Sequence, residues 1–126
     1  MTKIRMVGVV SADVVKTLGE AGRNYCAGDE IYIGCSNINH MQRRHLSDYL
    51  KYHNKLSIII SEPDYVGINK NDGSLEYVKV FSEHVKITVR VAGDEKLYVR
   101  SMYTVLNSRT EYFIKSGRLK PLTTGK

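Results

Sequence analysis

Val85-Lys86-Ile87-Thr88-Val89-Arg90-Val91 places a β-branched apolar residue at every second position, with a polar side chain between each pair. Side chains alternate across a strand, so this stretch reads as a strand with one face in a core and the other polar. The same texture extends outward in both directions. Upstream, Ser82-Glu83 turns the chain, and in residues 75–81 Leu75, Tyr77, Lys79 and Phe81 share one face while Val78 and Val80 share the other. Asn69-Lys70-Asn71-Asp72-Gly73-Ser74 carries an Asp-Gly turn signal, preceded by an extended Tyr65-Val66-Gly67-Ile68. Downstream, Ala92-Gly93-Asp94-Glu95 is another turn, and residues 97–106 form the last long strand. Short turns between alternating strands predict an antiparallel sheet of four strands or slightly more.

The first half reads differently. Residues 4–10 fit a strand, and residues 12–18 a helix with Ser11 at its N-cap and Gly19 just past its end. Residues 19–29 are a glycine-bearing loop and 30–34 a short strand. Ser36 opens a helix expected to run to about His53. Its stripe of Ile38, Met41, His45, Leu46, Tyr49, Leu50 and His53 has near-helical spacing. A second helix over 55–61 must stop before Pro63, because Glu62 precedes a proline. Asn107-Ser108 caps a short helix over 109–115, ended by Gly117. The expected fold is α+β, with N-terminal helices packed on the sheet and a short C-terminal helix. One domain is expected over 1–126: an N-terminal strand and helix extension over 1–30, a core over 31–120 and a mobile tail over 121–126.

The chain has 126 residues, enough to bury a core without staples. Its net charge of +6 favours polyanionic partners, because lysine and arginine release counterions on meeting phosphates. Cys26 and Cys35 make neither a disulfide framework nor a zinc spacing. Residues 1–10 lack the apolar stretch of a signal peptide, and no run approaches the about 20 residues of a membrane span. A cytoplasmic protein with no membrane partner is therefore expected. No acidic cluster or Cys/His spacing suggests a metal, and no cofactor is expected.

Chemistry-bearing residues concentrate in His40-Met41-Gln42-Arg43-Arg44-His45. Histidine suits either proton role in phosphodiester cleavage because imidazole titrates near neutral pH. His40 and Arg44 are four apart and share a helical face, whereas His45 lies about 140° round at about 100° per residue. His45 falls on the apolar stripe, so a catalytic group and a satisfied boundary histidine stand as equal readings. Lys79 is either an inward cation or an edge lysine snorkelling to water. Ser101 alternates with Leu97, Val99, Tyr103 and Val105, and reads equally as a phosphate-binding hydroxyl or a packing serine. Tyr103 could stack a base or fill the core. Arg43, Lys86, Arg90, Arg109, Lys115 and Arg118 would form a basic, RNA-binding rim, although each taken singly is a solvated side chain.

Four stretches in fixed order carry a family resemblance: residues 40–45, then Glu62-Pro63-Asp64-Tyr65-Val66-Gly67, then Tyr77-Val78-Lys79, then Val99-Arg100-Ser101-Met102-Tyr103. A fifth, Lys115-Ser116-Gly117-Arg118-Leu119, closes the set. Together they resemble the phage-associated branch of the nuclease superfamily that unites barnase, EndoU, the tRNA-cutting colicins and RelE, over roughly residues 30 to 120. The resemblance implies helices on a four-stranded antiparallel sheet and metal-independent endoribonuclease activity, often as a toxin or phage effector. It implies His40, His45, Arg44, Lys79, Ser101 and Tyr103 as the catalytic set. Arg100 departs from the pattern, standing where a small residue is common. RNA, whether tRNA or mRNA, is the expected substrate, with an antitoxin or immunity protein as a candidate partner. The alternatives are a non-catalytic RNA-binding module and a toxin–antitoxin interaction module on the same scaffold.

Overall fold

A computed structural model describes residues 4–123. The strands are β1 (Ile4–Val9), β2 (Glu30–Gly34), β3 (Tyr65–Ile68), β4 (Leu75–Val80), β5 (His84–Val91), β6 (Leu97–Val105) and β7 (Leu119–Pro121). The α-helices are α1 (Ala12–Leu18), α2 (Cys35–Arg44), α3 (Leu46–Tyr52), α4 (Leu56–Ser61) and α5 (Asn107–Lys115). All seven strands join one sheet in the order β1-β2-β6-β5-β4-β3-β7, antiparallel throughout except for the parallel pair β2–β6. The α+β class matches expectation, while the sheet is larger than four strands and mixed in direction. Local turns reveal the hairpins from β3 to β6. By contrast, β2 reaches the sheet through Ile31↔Leu97 and β7 through Gly67↔Leu119, pairings between residues far apart in sequence that no local pattern encodes.

One sheet face carries the core. Leu75 and Tyr77 of β4 lie beside Val85, Ile87 and Val89 of β5, all fully buried. Val14 and Leu18 of α1 and Leu56, Ile59 and Ile60 of α4 belong to the same cluster. Burying each such side chain contributes about 1.5–3 kcal/mol. Residues 4–18 therefore share this sheet and core: β1 is its edge strand and α1 supplies two of its buried residues.

Three departures from the expected local structure shape the site. First, the helix expected from Ser36 to His53 is broken at His45, whose φ of −145° and ψ of 54° are not helical. The His45 N–H closes α2 on the Met41 carbonyl at 2.8 Å, and its own carbonyl accepts from the Tyr49 N–H at 2.9 Å to start α3. The break follows from the sheet edge. Pairing of β2 with β6 ends after Tyr32↔Tyr98, and further along β6 it is α2 and α3 that contact the strand. There Asp48 accepts from the Thr104 N–H at 3.0 Å. Leu46 and Leu50, read as part of a buried stripe, are 52% and 62% exposed in consequence.

Second, a β-bulge interrupts β6. Thr88 pairs with Ser101 and Val89 with Val99, leaving Arg100 as the extra residue. Alternation is reset there, so Ser101 and Tyr103 both leave the face of Leu97 and Val99 for the opposite side of the sheet. Third, residues 121–123 are held. Pro121 belongs to β7, the Leu122 N–H donates to the Asp64 carbonyl at 3.0 Å, and the Thr123 N–H donates to Thr17 Oγ1 at 2.8 Å. The rest of the expected tail, 124–126, lies outside the described residues. Strand β7 runs so close to β3 that a Cβ on Gly67 would lie 1.9 Å from the Arg118 carbonyl oxygen, which is why this position has no side chain.

Candidate active site

The sheet face opposite the core is polar, and α5 covers part of it. The outcome is a cleft of about 560 Å³. Its floor comes from three strands: Glu76 on β4, Lys86, Thr88 and Arg90 on β5, and Ser101 and Tyr103 with the bulged Arg100 on β6. Arg109 and Phe113 of α5 form one wall, Arg118 reaches in from the segment before β7, and His40 of α2 stands at the rim. Five lysine and arginine side chains thus line a cleft with two carboxylates, Glu76 and Asp72.

Glu76 is the hub. It is 1% exposed, and both its oxygens are engaged. Arg118 donates from Nε to Oε1 at 2.8 Å and from Nη2 to Oε2 at 2.6 Å, a bidentate pair. Lys86 Nζ lies 2.7 Å from Oε2 and is itself nearly buried. Burial alone would push the Glu76 carboxyl up. The hydrogen bonds and charges of Arg118 and Lys86 outweigh it and hold the group below the ordinary glutamate range. Glu76 is therefore an ionised anchor that fixes two cations, and the Lys86 ammonium retains donors beyond the one it gives Glu76. Asp72, at the cleft edge, is similarly pushed up by burial and pulled down further by hydrogen bonds from Ser74, helped by Arg90 and Arg100.

The Phe113 ring organises the cations further. Arg118 lies 4.1 Å, Arg109 4.9 Å and Lys86 5.4 Å from its centroid. Helix α5 is set on the sheet by His84, whose Nδ1 is 2.9 Å from Thr110 Oγ1. Across the bulge the Thr88 and Ser101 hydroxyls hydrogen-bond to each other at 2.5 Å, giving a paired hydroxyl step on the floor. The His45 ring stacks on Tyr103, with centroids 5.0 Å apart and an interplanar angle of 22°.

The structure gathers His40, Ser101 and Tyr103 with Lys86, Arg90, Arg109 and Arg118 around one cleft. Other expected site residues lie elsewhere. His45 contacts the cleft through the Tyr103 ring rather than as part of its lining. Arg43 and Arg44 share an adjoining depression with His40, Ser36 and Asn39, so Arg44 does lie on the His40 side of α2. Lys115 is exposed on α5 and outside the lining. Lys79 is on the core face of β4, with Leu75 and Tyr77, and its Nζ donates to the Glu62 carbonyl at 2.7 Å. It is separated from the cleft by the sheet itself, because strand alternation sends Glu76 one way and Lys79 the other.

The residues that sequence reasoning missed are Glu76, Thr88, Phe113 and, as a cleft residue, Arg100. A signal for the first two existed. Glu76 and the Lys86/Thr88/Arg90 set fall on the same side of two adjacent strands, and an acid opposite a row of bases marks a paired face. Phe113 carried no such mark.

Among the described residues, no three His, Cys, Asp or Glu side chains come together in a metal-binding cluster, and no helix is long and apolar enough to cross a membrane. A family model described as phage-Barnase-EndoU-ColicinE5/D-RelE like nuclease3 matches residues 5–112. No curated protein and no solved structure matches the chain.

Proposed function

The chain belongs to this phage-associated nuclease family, and from that premise we propose that it is an endoribonuclease that cuts RNA without a metal. The observation that carries the reading is the convergence of five lysine and arginine side chains on one cleft, two of them immobilised by a single buried carboxylate. Such a cleft meets the main demand of phosphodiester cleavage, which is fixed positive charge where the phosphorane charge develops.

In this reading the 2′-oxygen attacks phosphorus and the bond to the 5′-oxygen breaks, leaving a 2′,3′-cyclic phosphate and a 5′-hydroxyl. His40, at the rim and exposed, takes the 2′-hydroxyl proton. Lys86 delivers a proton toward the departing 5′-oxygen, and Arg118, Arg109 and Arg90 hold the phosphoryl oxygens. The Thr88–Ser101 hydroxyl pair hydrogen-bonds to the same group, and Tyr103, backed by the His45 ring, offers a stacking face to a base. The reading extends to a phage-borne toxin or effector, with an acidic antitoxin or immunity protein as the partner that would cover this cationic cleft.

One observation favours a second reading, RNA binding without cleavage: His40 is the lone histidine among the lining residues, so no second imidazole stands ready as a partner for proton transfer. The test is incubation of the protein with total RNA in EDTA, followed by mapping of the cut ends. Cyclic phosphate ends in EDTA are expected, with toxicity on expression in a host cell. Activity lost on chelation, or retained in a His40→Ala/Lys86→Met variant, would refute the catalytic reading. Salt-dependent binding of RNA that stays intact would establish the second.

A further inference from the structure

A second cavity, of about 640 Å³, adjoins the first. The two share His40, Arg90 and Arg100, so these three side chains form a ridge between them. Across the ridge the chemistry changes. The first cavity is lined mainly by charges and hydroxyls beside the rings of Phe113 and Tyr103, whereas the second is lined by Val91, Ala92, Gly93 and Tyr98 and holds no lysine or arginine beyond the ridge. Tyr98 pairs with Arg90 across β5 and β6 and so stands on the cleft side of the sheet. Its ring is held in place: its hydroxyl donates to Asp94 Oδ2 at 2.8 Å, and Asp94 is itself fixed by the Lys96 N–H at 3.0 Å. Tyr32 lies beside it, with ring centroids 6.1 Å apart, and extends the aromatic surface toward β2.

An alternation of cationic ridge and oriented aromatic pocket suits a strand in which phosphates alternate with bases. We infer that the second cavity is a nucleoside subsite that takes the neighbouring unpaired base of a single-stranded substrate against Tyr98, with the backbone crossing the Arg90–Arg100 ridge. A base within a duplex has both faces stacked on its neighbours and could not enter. The inference rests on the nucleic-acid reading above and adds to it the strandedness and minimum length of the substrate: at least two nucleotides, single-stranded.

The test is binding of a fluorescently labelled 2′-O-methyl tetranucleotide, which lacks the attacking hydroxyl and stays intact, measured by anisotropy. Tyr98→Ala is expected to weaken binding about 5- to 150-fold, the loss of one stacked base. Tyr98→Phe, which keeps the ring, should bind within about threefold of the unmodified protein. Ala92→Glu, an exposed turn position, should also weaken binding through charge alone, with an unchanged circular dichroism spectrum. A nucleoside monophosphate should bind Tyr98→Ala and the unmodified protein alike, because it occupies the first cavity only. Should Arg109→Ala weaken tetranucleotide binding while Tyr98→Ala and Ala92→Glu do not, the subsite is refuted and the nucleic-acid reading survives. Absence of tetranucleotide binding by the unmodified protein refutes both.

Discussion

Replacing Glu76 with glutamine removes one negative charge and almost no volume, yet it should be among the most damaging changes available to this protein. Glu76 is 1% exposed and neutralises two cations, Lys86 at 2.7 Å and Arg118 at 2.6 Å. Breaking a buried ion pair from one side typically costs about 3–5 kcal/mol, because the surviving charge stays buried without a partner. Here two cations are left. Arg118 retains 20% side-chain exposure and can draw on water, so the lower end, about 3 kcal/mol, is expected for Glu76→Gln. In a domain of this size that corresponds to a melting temperature about 10–15 °C lower. The assay is urea unfolding at several pH values. The folded-state pKa of Glu76 is depressed, so its contribution is fully present above the ordinary glutamate value of about 4.3 and is lost as pH falls through the lower, folded-state value. The gap between the unmodified protein and Glu76→Gln should therefore hold constant from pH 7 to about 5 and narrow on further acidification. A gap under about 1 kcal/mol at pH 7, or one that does not narrow as the pH falls below the ordinary glutamate value, would refute the assignment of Glu76 as an ionised anchor. Replacing all three residues together (Glu76→Leu, Lys86→Met, Arg118→Met) should recover much of the stability while leaving RNA cleavage abolished.

His40→Ala should lower RNA cleavage by about 10²- to 10⁴-fold, the usual worth of a positioned acid or base. As His40 is exposed, the unfolding midpoint should not move, and a variant that cleaves normally would remove it from the mechanism. Lys79→Ala should leave cleavage within about twofold, since the side chain points to the other side of the sheet and binds the Glu62 carbonyl; a large loss in a folded variant would contradict the placement of the cleft. Gly67→Ala should destabilise the protein and weaken RNA binding together, because the new Cβ would lie 1.9 Å from the Arg118 carbonyl and must push Arg118 away from Glu76; a melting curve and an RNA titration read both effects. Cleavage should also fall steeply with salt, in proportion to the number of phosphates the cleft neutralises; a salt-independent rate between 50 and 200 mM would argue against the five cations as the binding surface.

What could be read from the sequence followed from how local each determinant is. The alternation of residues 85–91 matches the observed strand, with Val85, Ile87 and Val89 fully buried, while Val91 at its end is 50% exposed. The polar residues of that strand were misjudged in a specific way. Lys86 reads as a solvated rim residue, but α5 lies over it and leaves it 6% exposed, a consequence of a helix that begins only at Asn107 and returns to the sheet. The Ser101 face was misread because a bulge shifts alternation by one, and Arg100 gives no local sign of being the extra residue. Helical periodicity likewise ran through His45, since nothing in that stripe reports that Asp48 is needed to cap the flank of β6. His40 is found at the cleft and His45 behind Tyr103, and because the helix breaks at His45 this separation does not follow from their angular positions on one helix.

The pairing of Glu76 with Arg118 also has a temporal meaning. Forty-two residues separate the two, and Arg118 is the last of the cleft-lining residues to be synthesised. A nascent chain that has released β4, β5 and β6 already holds Glu76 and Lys86, but the bidentate clamp, the third cation on Phe113 and the closing strand β7 all arrive afterwards. The anionic hub thus precedes its second cation in order of synthesis, and the cleft is complete only once Arg118 has returned to the sheet.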